Sequence, residues 1–300
     1  MDVYRLFKLM SDRSSHNKRI AKNTLFLYLR MGLVLVVSLF STRVVLQALD
    51  IEDYGINNVV SGFVTMFAFL NTSMSNGVQR FYNFSLGRKN GYSIKDVYNT
   101  ALQIQAILAV TLLVPLETFG MWYIHTQMVI PIDRFAAAQW VFQFSVLSLV
   151  LLVLQIPYSA AIMAYEKMDY YAYLSIFDVL AKLGIAYIIK YTTFDKLILY
   201  GALNMLVSLI CFFLYYGYAK SHFQDLKSDF IIRKQLFKPM LYFSGWNGFG
   251  SFAYMIKSQG LNMLLNVFFG PVVNAARGVS NMAMSAIQGF QSNIVIAFRP

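Results

Sequence analysis

Four cationic side chains lie inside long apolar stretches of the chain, where an ionisable group is costly and marks a candidate functional position. They are Arg30, Arg43, Lys257 and Arg277. Lysine and arginine form charge-assisted hydrogen bonds to anionic oxygens, such as those of a phosphate group. We therefore expect these four residues to bind an anionic substrate.

The positions of these cations differ. Arg30 and Arg43 are 13 residues apart, which is about 20 Å along a helix, so a phosphate group could meet them in succession. Lys257 follows the small and polar segment GWNGFGS, which is poorly suited to lipid and favours a cavity wall. Arg277 lies near the end of its apolar stretch. For Arg30, Arg43 and Arg277, the alternative is that the side chain snorkels to the membrane surface.

Asp178 and Lys182 lie four residues apart within a further apolar stretch. This spacing places them on one face of a helix. They form either an ion pair that neutralises itself between helices or a site for a coupling ion. Glu117, near the end of another apolar stretch, is interpreted as an interfacial residue rather than a proton-coupling one.

Asn57, Asn58 and Asn71 contribute to a polar stripe along the second apolar stretch. Amide side chains within a membrane hydrogen-bond between helices as often as they bind a ligand. The stripe therefore predicts either helix packing or contact with a sugar.

Motifs for catalysis or cofactor binding are not recognisable. His16, His125 and His222 lack metal-ligand spacing, and the sequence contains no P-loop or dinucleotide fingerprint. The single cysteine, Cys211, lies in an apolar run, which excludes a disulfide framework. We therefore expect a protein that is not an enzyme and that uses no metal or other cofactor.

The composition is typical of a membrane protein. Hydrophobic residues make up 58% of the 300 residues and charged residues only 13%, whereas soluble domains have about 25% charged residues. The net charge of +11 does not indicate nucleic-acid binding, because the basic residues lie mostly in short loops rather than on one water-exposed face.

Apolar stretches long enough to cross a bilayer predict eight spans, at residues 24–48, 56–79, 97–122, 137–164, 171–190, 197–219, 239–267 and 275–298.

The distribution of lysine and arginine predicts the orientation of these spans. If the N-terminal segment 1–23 is cytoplasmic, 17 of these residues lie in cytoplasmic segments and 3 lie in outer loops. Because cytoplasmic loops are enriched in positive charge, we expect the N-terminus to be inside. The outer loops are then too short to form a separate catalytic domain.

Residues 28–90 carry the motifs of a known superfamily. They contain an arginine-bearing first helix, the turn LDIEDYGINNVV, the run FAFLNTSM and the exit RFYNFSLG, and the later segments IPYSAAIMAYEKM and LYFSGWNGFG also fit. In these motifs the chain resembles the bacterial oligosaccharide flippases of the MOP exporter superfamily. The resemblance implies an all-α polytopic membrane protein with a MOP/MATE-like helical bundle.

The resemblance also implies a division into parts. Members of this superfamily have about twelve to fourteen helices in two halves, and the substrate of such transporters binds between the halves. We therefore expect the chain to be the N-terminal part of a longer protein. Its predicted parts are the cytoplasmic segment 1–23, a first six-helix half at 24–219, a cytoplasmic linker at 220–238, and the first two helices of the second half at 239–300.

The function implied by the resemblance is transport of an undecaprenyl-pyrophosphate-linked oligosaccharide, such as an O-antigen or capsule repeat unit, across the bacterial inner membrane by alternating access. The expected partners are this substrate, membrane lipids and a glycan polymerase or other assembly protein. Two alternatives stay open. A MATE-type multidrug antiporter requires an ion-coupling carboxylate exposed in a half-bundle cavity. A membrane-embedded polysaccharide polymerase or glycosyltransferase requires catalytic acids on outer loops, for which Asp50, Glu52 and Asp53 form the candidate cluster.

Overall fold

The computed structural model describes residues 3–87, 91–126, 130–226 and 235–253, together with the single positions 284 and 288. Every regular element in these ranges is helical. A helix satisfies its backbone hydrogen bonds within one segment, which a lipid environment requires. The predicted all-α architecture is therefore confirmed over the described ranges, and it fits a polytopic membrane protein.

Eight α-helices and one π-helical turn follow one another along the described residues. They are α1 (Val3–Thr65), α2 (Ala68–Leu86), α3 (Ile94–Pro115), the π-helical turn (Leu116–Gly120), α4 (Met121–Thr126), α5 (Phe135–Ala164), α6 (Met168–Tyr191), α7 (Lys196–His222) and α8 (235–253).

Five helical segments among the described residues are long and apolar enough to cross a membrane. They are Tyr28–Asp50, Ile94–Thr126, Phe135–Ala164, Met168–Tyr191 and Lys196–His222. These segments confirm the first, third, fourth, fifth and sixth predicted spans. The seventh predicted span is described only as far as residue 253, and the eighth lies outside the described residues except for positions 284 and 288.

The chain reverses direction at Asp50, within α1. Asp50 has φ 64° and ψ 168°, which is not helical. Positions 30 and 34 line the same cavity as positions 61 and 64, so the two arms of α1 run antiparallel. The interval that the predicted spans 24–48 and 56–79 leave between them was therefore too long, because the helix resumes directly after Asp50.

The second predicted span, 56–79, is divided into two helical pieces. The second arm of α1 ends at Thr65, and α2 begins at Ala68. Neither piece is among the described segments that are long and apolar enough to span a membrane. The prediction of one continuous span is wrong here, since the polar residues of α2 lower its hydropathy and the helix breaks at Met66 and Phe67.

The third span contains a local widening of the helix. Pro115 lacks a backbone N–H and ends α3, and the π-helical turn follows at once. Within this turn the carboxylate of Glu117 accepts a hydrogen bond of 3.0 Å from Nε2 of Gln143 on α5. Glu117 therefore has a neutral amide partner at the surface of the helical bundle.

The helices pack around α5. The first arm of α1 lies mainly against α6, while α5 lies against α7 and α2. At Gly201 on α7 an added Cβ would lie 3.2 Å from the Phe144 ring and 3.3 Å from Val141. Glycine at this position therefore lets α7 approach α5 closely.

An ion-pair cluster joins three connections at one end of the bundle, which we call the Arg134 end. The Arg134 guanidinium binds both carboxylate oxygens of Asp53, with an Nε–Oδ1 distance of 2.7 Å, and also binds Asp195 at 2.7 Å. Asp195 additionally caps α7 by accepting the N–H groups of Leu197 and Ile198. The cluster thus links α1, α5 and α7. It also includes Asp53, one of the three outer-loop acids that a polymerase or glycosyltransferase would need for catalysis.

The charge state of Asp195 connects this cluster to pH. Burial by itself would raise the pKa of the Asp195 carboxyl, but the hydrogen bond from Ile198 and the Arg134 guanidinium outweigh burial and lower the pKa below 3.8. The Asp195 carboxylate therefore contributes its full stabilisation at pH values above its ordinary pKa of 3.8. This stabilisation disappears as the pH falls through the lowered pKa.

We expect Arg134→Met to destabilise the bundle, because it leaves two carboxylates without their shared donor. Hydrogen bonds to charged groups contribute about 1.5–3 kcal/mol when well formed, and partial exposure of this cluster reduces the expected loss to about 1–2 kcal/mol. Thermal unfolding of the purified chain in detergent at pH 7 measures the change. Lys190→Met, which removes an exposed cation from α6, is the control. Equal losses in the two variants would show that the Arg134 cluster is not stabilising.

Candidate functional site: a polar cavity within the helical bundle

A polar cavity lies among α1, α5, α6 and α7, and we call it the bundle cavity. On each helix its lining residues recur every three or four positions, as Ser175, Asp178 and Lys182 do on α6. Each helix therefore turns one face toward the cavity. Its polar lining residues are Arg30, Asn57, Ser61, Ser145, Ser148, Gln155, Ser175, Asp178, Lys182, Tyr200, Asn204, Ser208, Cys211 and Tyr215.

The bundle cavity has a volume of about 540 Å³, and a second cavity of about 380 Å³ adjoins it. Asn57, Asp178 and Lys182 line both cavities. Along α1 the two linings extend from Arg30 to Val45, which is roughly 22 Å at the rise of a helix. Since a hydrocarbon core is about 30 Å thick, the linings of the two cavities together cover more than half of that depth along α1.

Arg30 lies in this lining near the start of the first span. Its Cζ atom is 4.9 Å from the centroid of the Tyr171 ring on α6, a cation–π contact that restrains the guanidinium. Its Nε atom is buried and has no hydrogen-bond partner among the described residues. A buried donor without a partner costs free energy, but this atom is closed off from the cavity, so it is the positive charge of the guanidinium in the lining that favours an anionic ligand.

Asp178 and Lys182 form the ion pair that their spacing allows. Nζ of Lys182 is 2.8 Å from Oδ2 of Asp178, and their side chains are 45% and 32% exposed, respectively. The pair therefore faces the cavity and is not sealed between helices. Together with Arg30, these charges give the described cavity lining one excess positive charge.

The serine hydroxyls in the lining direct their protons toward their own helices. Ser145 donates to the backbone oxygen of Val141 at 2.7 Å, and Ser148 donates to that of Phe144 at 2.8 Å. A hydroxyl that has donated its proton in this way can still accept a hydrogen bond. The cavity wall thus offers oxygen acceptors to a ligand with many hydroxyl groups.

The structure separates the four cations expected to bind substrate. Arg30 lies in the cavity lining, whereas Arg43 is absent from both linings and has an exposed side chain. Arg43 therefore lies apart from the two described cavities, and substrate binding by Arg43 stays a prediction. Lys257 and Arg277 lie outside the described residues.

The three asparagines are also separated. Asn57 lines both cavities. Asn71 is half-buried on α2 and does not belong to either lining, and the side chain of Asn58 is outside those described. Of the two asparagines whose side chains are described, Asn57 is therefore the one placed where it could contact a bound sugar.

Several lining residues were not predicted from the sequence. Tyr200, Asn204 and Ser208 lie four residues apart along α7, and Gln155 lies on α5. The four-residue spacing of polar side chains in an apolar helix is a sequence signal for one polar face. It was visible in α7 and could have identified this helix as part of the cavity wall.

Among the described residues, no group of three or more histidine, cysteine, aspartate or glutamate side chains is arranged to hold a metal ion. Asp178 is instead paired with a lysine, and Cys211 is buried. The described site therefore offers charge and hydrogen bonding to a ligand.

Comparison with known proteins gives a similar fold. No known protein family matches the chain, and no curated protein does. A solved structure of a chain named protein A is similar, with a TM-score of 0.77 and 12% sequence identity. The match covers 93% of this chain and 63% of that chain, so the present chain spans less than two thirds of its length. At this identity, the similarity shows that the two chains share a helical fold.

Proposed function

We propose that this protein is a flippase that moves a polyprenyl-pyrophosphate-linked oligosaccharide across the bacterial inner membrane. The observation that supports this function best is the position of the positively charged Arg30 in the lining of a cavity within the helical bundle. An anion is the ligand that such a group favours. The motif resemblance of residues 28–90 to oligosaccharide flippases supplies the chemical class of the substrate.

The chemistry of the lining matches both parts of such a headgroup. The guanidinium of Arg30 binds the pyrophosphate, because arginine donates hydrogen bonds in a planar geometry suited to phosphate. The sugar hydroxyls donate to lining oxygens such as those of Ser145 and Ser148. The polyprenyl chain stays in the lipid, where it requires no polar partner.

The volume of the bundle cavity limits how much of the headgroup it holds. Sites for small molecules have volumes of about 300–1,000 Å³, and the bundle cavity, at about 540 Å³, lies within this range. It accommodates the pyrophosphate and the sugars nearest to it. The remaining sugars of a longer repeat unit extend into the adjoining cavity or out of the bundle.

The cavity provides a second cation farther along the route. Arg30 contacts Tyr171, and Lys182 follows Tyr171 by 11 residues on α6, which is about 16 Å along the helix axis. In the predicted orientation Arg30 is nearer the cytoplasm, where the substrate is loaded. The headgroup therefore meets Arg30 first and Lys182 second, and Lys182 takes the role that the sequence assigned to Arg43.

Arg30→Ala tests this function with Arg43→Ala as a matched control on the same helix. We expect Arg30→Ala to reduce export of surface glycan at least about tenfold, which corresponds to losing one hydrogen bond to a charged group. Arg43→Ala should retain most of the export. The measurement is the amount of surface glycan in a bacterial host that lacks its own flippase and expresses each full-length variant at an equal level.

Three results would count against this proposal. The wild-type protein would fail to restore surface glycan, Arg30→Ala would export as well as wild type, or Arg43→Ala would lose as much export as Arg30→Ala. Arg30→Lys extends the comparison, since lysine retains the charge but cannot bind phosphate with two parallel hydrogen bonds. We expect its export to be intermediate.

One observation favours a second candidate function, a cation-coupled exporter. Asp178 lies in the cavity of a half-bundle, which is where such an exporter requires its coupling carboxylate. Its neighbour Lys182 neutralises it, and this pairing favours the flippase. The two functions differ in their dependence on Asp178. In a cation-coupled exporter Asp178 is the coupling carboxylate and is essential for transport. In a flippase it is one half of a structural ion pair, which can be replaced together with Lys182.

A further inference from the structure

Six uncharged side chains in the lining of the bundle cavity donate their hydrogen bonds to the backbone of their own helices. They come from all four helices of the lining, and they are Ser61, Ser145, Ser148, Ser175, Asn204 and Ser208. In each case the acceptor is the backbone oxygen four residues earlier. A serine uses its only donor in this way and Asn204 uses one of its two, so their oxygen atoms keep lone pairs for a ligand.

The charged groups of the lining divide the work of hydrogen bonding with these six side chains. Arg30 and Lys182 supply charged donors. The side chain of Asp178 is 32% exposed, and a carboxylate accepts hydrogen bonds and donates none. The residues that both donate and accept are Asn57, Gln155, Tyr200 and Tyr215. The lining therefore combines two positions for an anion with a wall that is rich in oxygen acceptors.

Acceptors lie close to the position where Arg30 would hold a phosphate. Tyr171 of α6 contacts Arg30, Ser175 follows Tyr171 by four residues, and Asp178 follows it by seven. These intervals are about 6 and 10 Å along the helix axis. The acceptors of α6 are therefore beside the sugar that is joined directly to the phosphate.

Such a wall discriminates between ligands by their hydrogen-bond donors. A ligand that covers these oxygens without donating to them displaces water and leaves the oxygens unpaired, which costs free energy. A site that hydrogen-bonds a substrate group rejects an analogue without that group much more strongly than a purely apolar site does. A hydroxyl that is alkylated, acylated or replaced by fluorine has no proton to donate.

We infer that the bundle cavity selects headgroups whose first sugar carries free hydroxyl or amide N–H groups and rejects headgroups in which these donors are blocked. Ser148 of α5 and Ser175 of α6 are two of the residues that determine this selection. The inference rests on the proposed function and deepens it, because it names the chemical class of the sugar that follows the phosphate.

The test compares two soluble ligands on the purified full chain in detergent. The first is a short-chain alkyl pyrophosphate ester of a hexose with free hydroxyl groups. In the second, these hydroxyl groups are replaced by fluorine, which is similar in size and cannot donate. Isothermal titration gives a Kd for each ligand, and the ratio of the two values measures the selection. Because both ligands carry the same pyrophosphate, the contribution of Arg30 cancels in this ratio.

We expect wild type to bind the fluorinated ligand at least about fivefold more weakly than the hydroxyl ligand, which corresponds to one neutral hydrogen bond. Combining Ser148→Ala with Ser175→Ala removes two acceptors and should lower this ratio at least about twofold. The matched control combines Thr118→Ala with Thr126→Ala and should keep the wild-type ratio. These threonines make the same bond to the backbone oxygen four residues earlier, but they are exposed and belong to neither lining.

Four results would overturn this inference. Wild type would bind the two ligands equally, it would bind the hydroxyl ligand not at all, the serine variant would keep the wild-type ratio, or the threonine control would lower the ratio as much as the serine variant. Transport of a lipid-linked saccharide in vesicles is measured separately. If wild type selects the hydroxyl ligand but transports nothing, the proposed function fails and the selection stands. If it transports but binds both ligands equally, the selection fails and the function stands.

Discussion

Replacing Gly77 with leucine is expected to separate α8 from α2 and to lower the stability of the protein substantially. A Cβ at this position would lie 3.2 Å from the Cβ of Ser244, so the larger leucine side chain has no space. Overpacking of a close contact costs about 1–3 kcal/mol, and Gly77→Leu should lie at the upper end because backbone blocks its path. Thermal unfolding of the purified chain in detergent measures the loss.

Gly184→Leu is the matched control for Gly77→Leu. Gly184 lies on α6 with an exposed surface and nothing within 4 Å of an added Cβ, so leucine there contacts only lipid or detergent. We expect its unfolding temperature to stay close to that of wild type. A similar unfolding temperature for Gly77→Leu would show that α2 and α8 do not approach each other as described.

Removing Lys182 is the second change with a large expected effect. Lys182→Met leaves Asp178 as an unpaired carboxylate in the cavity wall, and an unpaired charge at membrane depth costs about 2.5–3.5 kcal/mol on insertion scales. Because Asp178 is one-third exposed, we expect a loss of about 1–2 kcal/mol. Replacing both residues, with Asp178→Asn and Lys182→Met, should recover most of it. Thermal unfolding of the two single variants and the double variant measures the coupling between the residues.

Transport by the same variants distinguishes the two candidate functions. In a flippase that uses Lys182 as its second cation, Lys182→Met slows glycan export, and Asp178→Asn alone leaves export at half or more of the wild-type level. In a cation-coupled exporter, Asp178→Asn abolishes transport. Additive stability losses, without recovery in the double variant, would show that the pair does not act as a unit.

The membrane-spanning helices were predictable because a bilayer imposes a minimum apolar length. The spans predicted at 137–164 and 197–219 differ from Phe135–Ala164 and Lys196–His222 by only a few residues. The division of the second span was less predictable. Ser73 of α2 donates a hydrogen bond to the backbone oxygen of Ser244 on α8, and sequence length alone does not distinguish such a helix from a lipid-facing span.

The separation of Arg30 from Arg43 follows from helical phase. Their 13-residue spacing corresponds to about three and a half turns, which places the two side chains on opposite faces of α1. Depth along the helix was considered in the prediction, whereas the face was not. Residues 30, 34, 38, 41 and 45 share the face that lines the cavities, and position 43 does not.

The placement of Lys182 in the cavity wall was not predictable from spacing. A lysine four residues after an aspartate forms the same ion pair whether the helix face is buried or lines a cavity. The packing of α6 against α1 determines which of these occurs. The contact of Tyr171 with Arg30 was not predictable from spacing either, because it joins residues far apart in the sequence.

The most direct test of the cationic cavity is translocation by the purified full chain in lipid vesicles. A fluorescent polyprenyl-pyrophosphate-linked saccharide is placed in both leaflets, and an external sugar-cleaving enzyme reports how fast the inner pool becomes accessible. We predict rapid exchange with wild type and Arg43→Gln, and at least tenfold slower exchange with Arg30→Gln. Exchange by wild type no faster than in protein-free vesicles, or equal rates for wild type and Arg30→Gln, would contradict the proposal that Arg30 binds the substrate in this cavity.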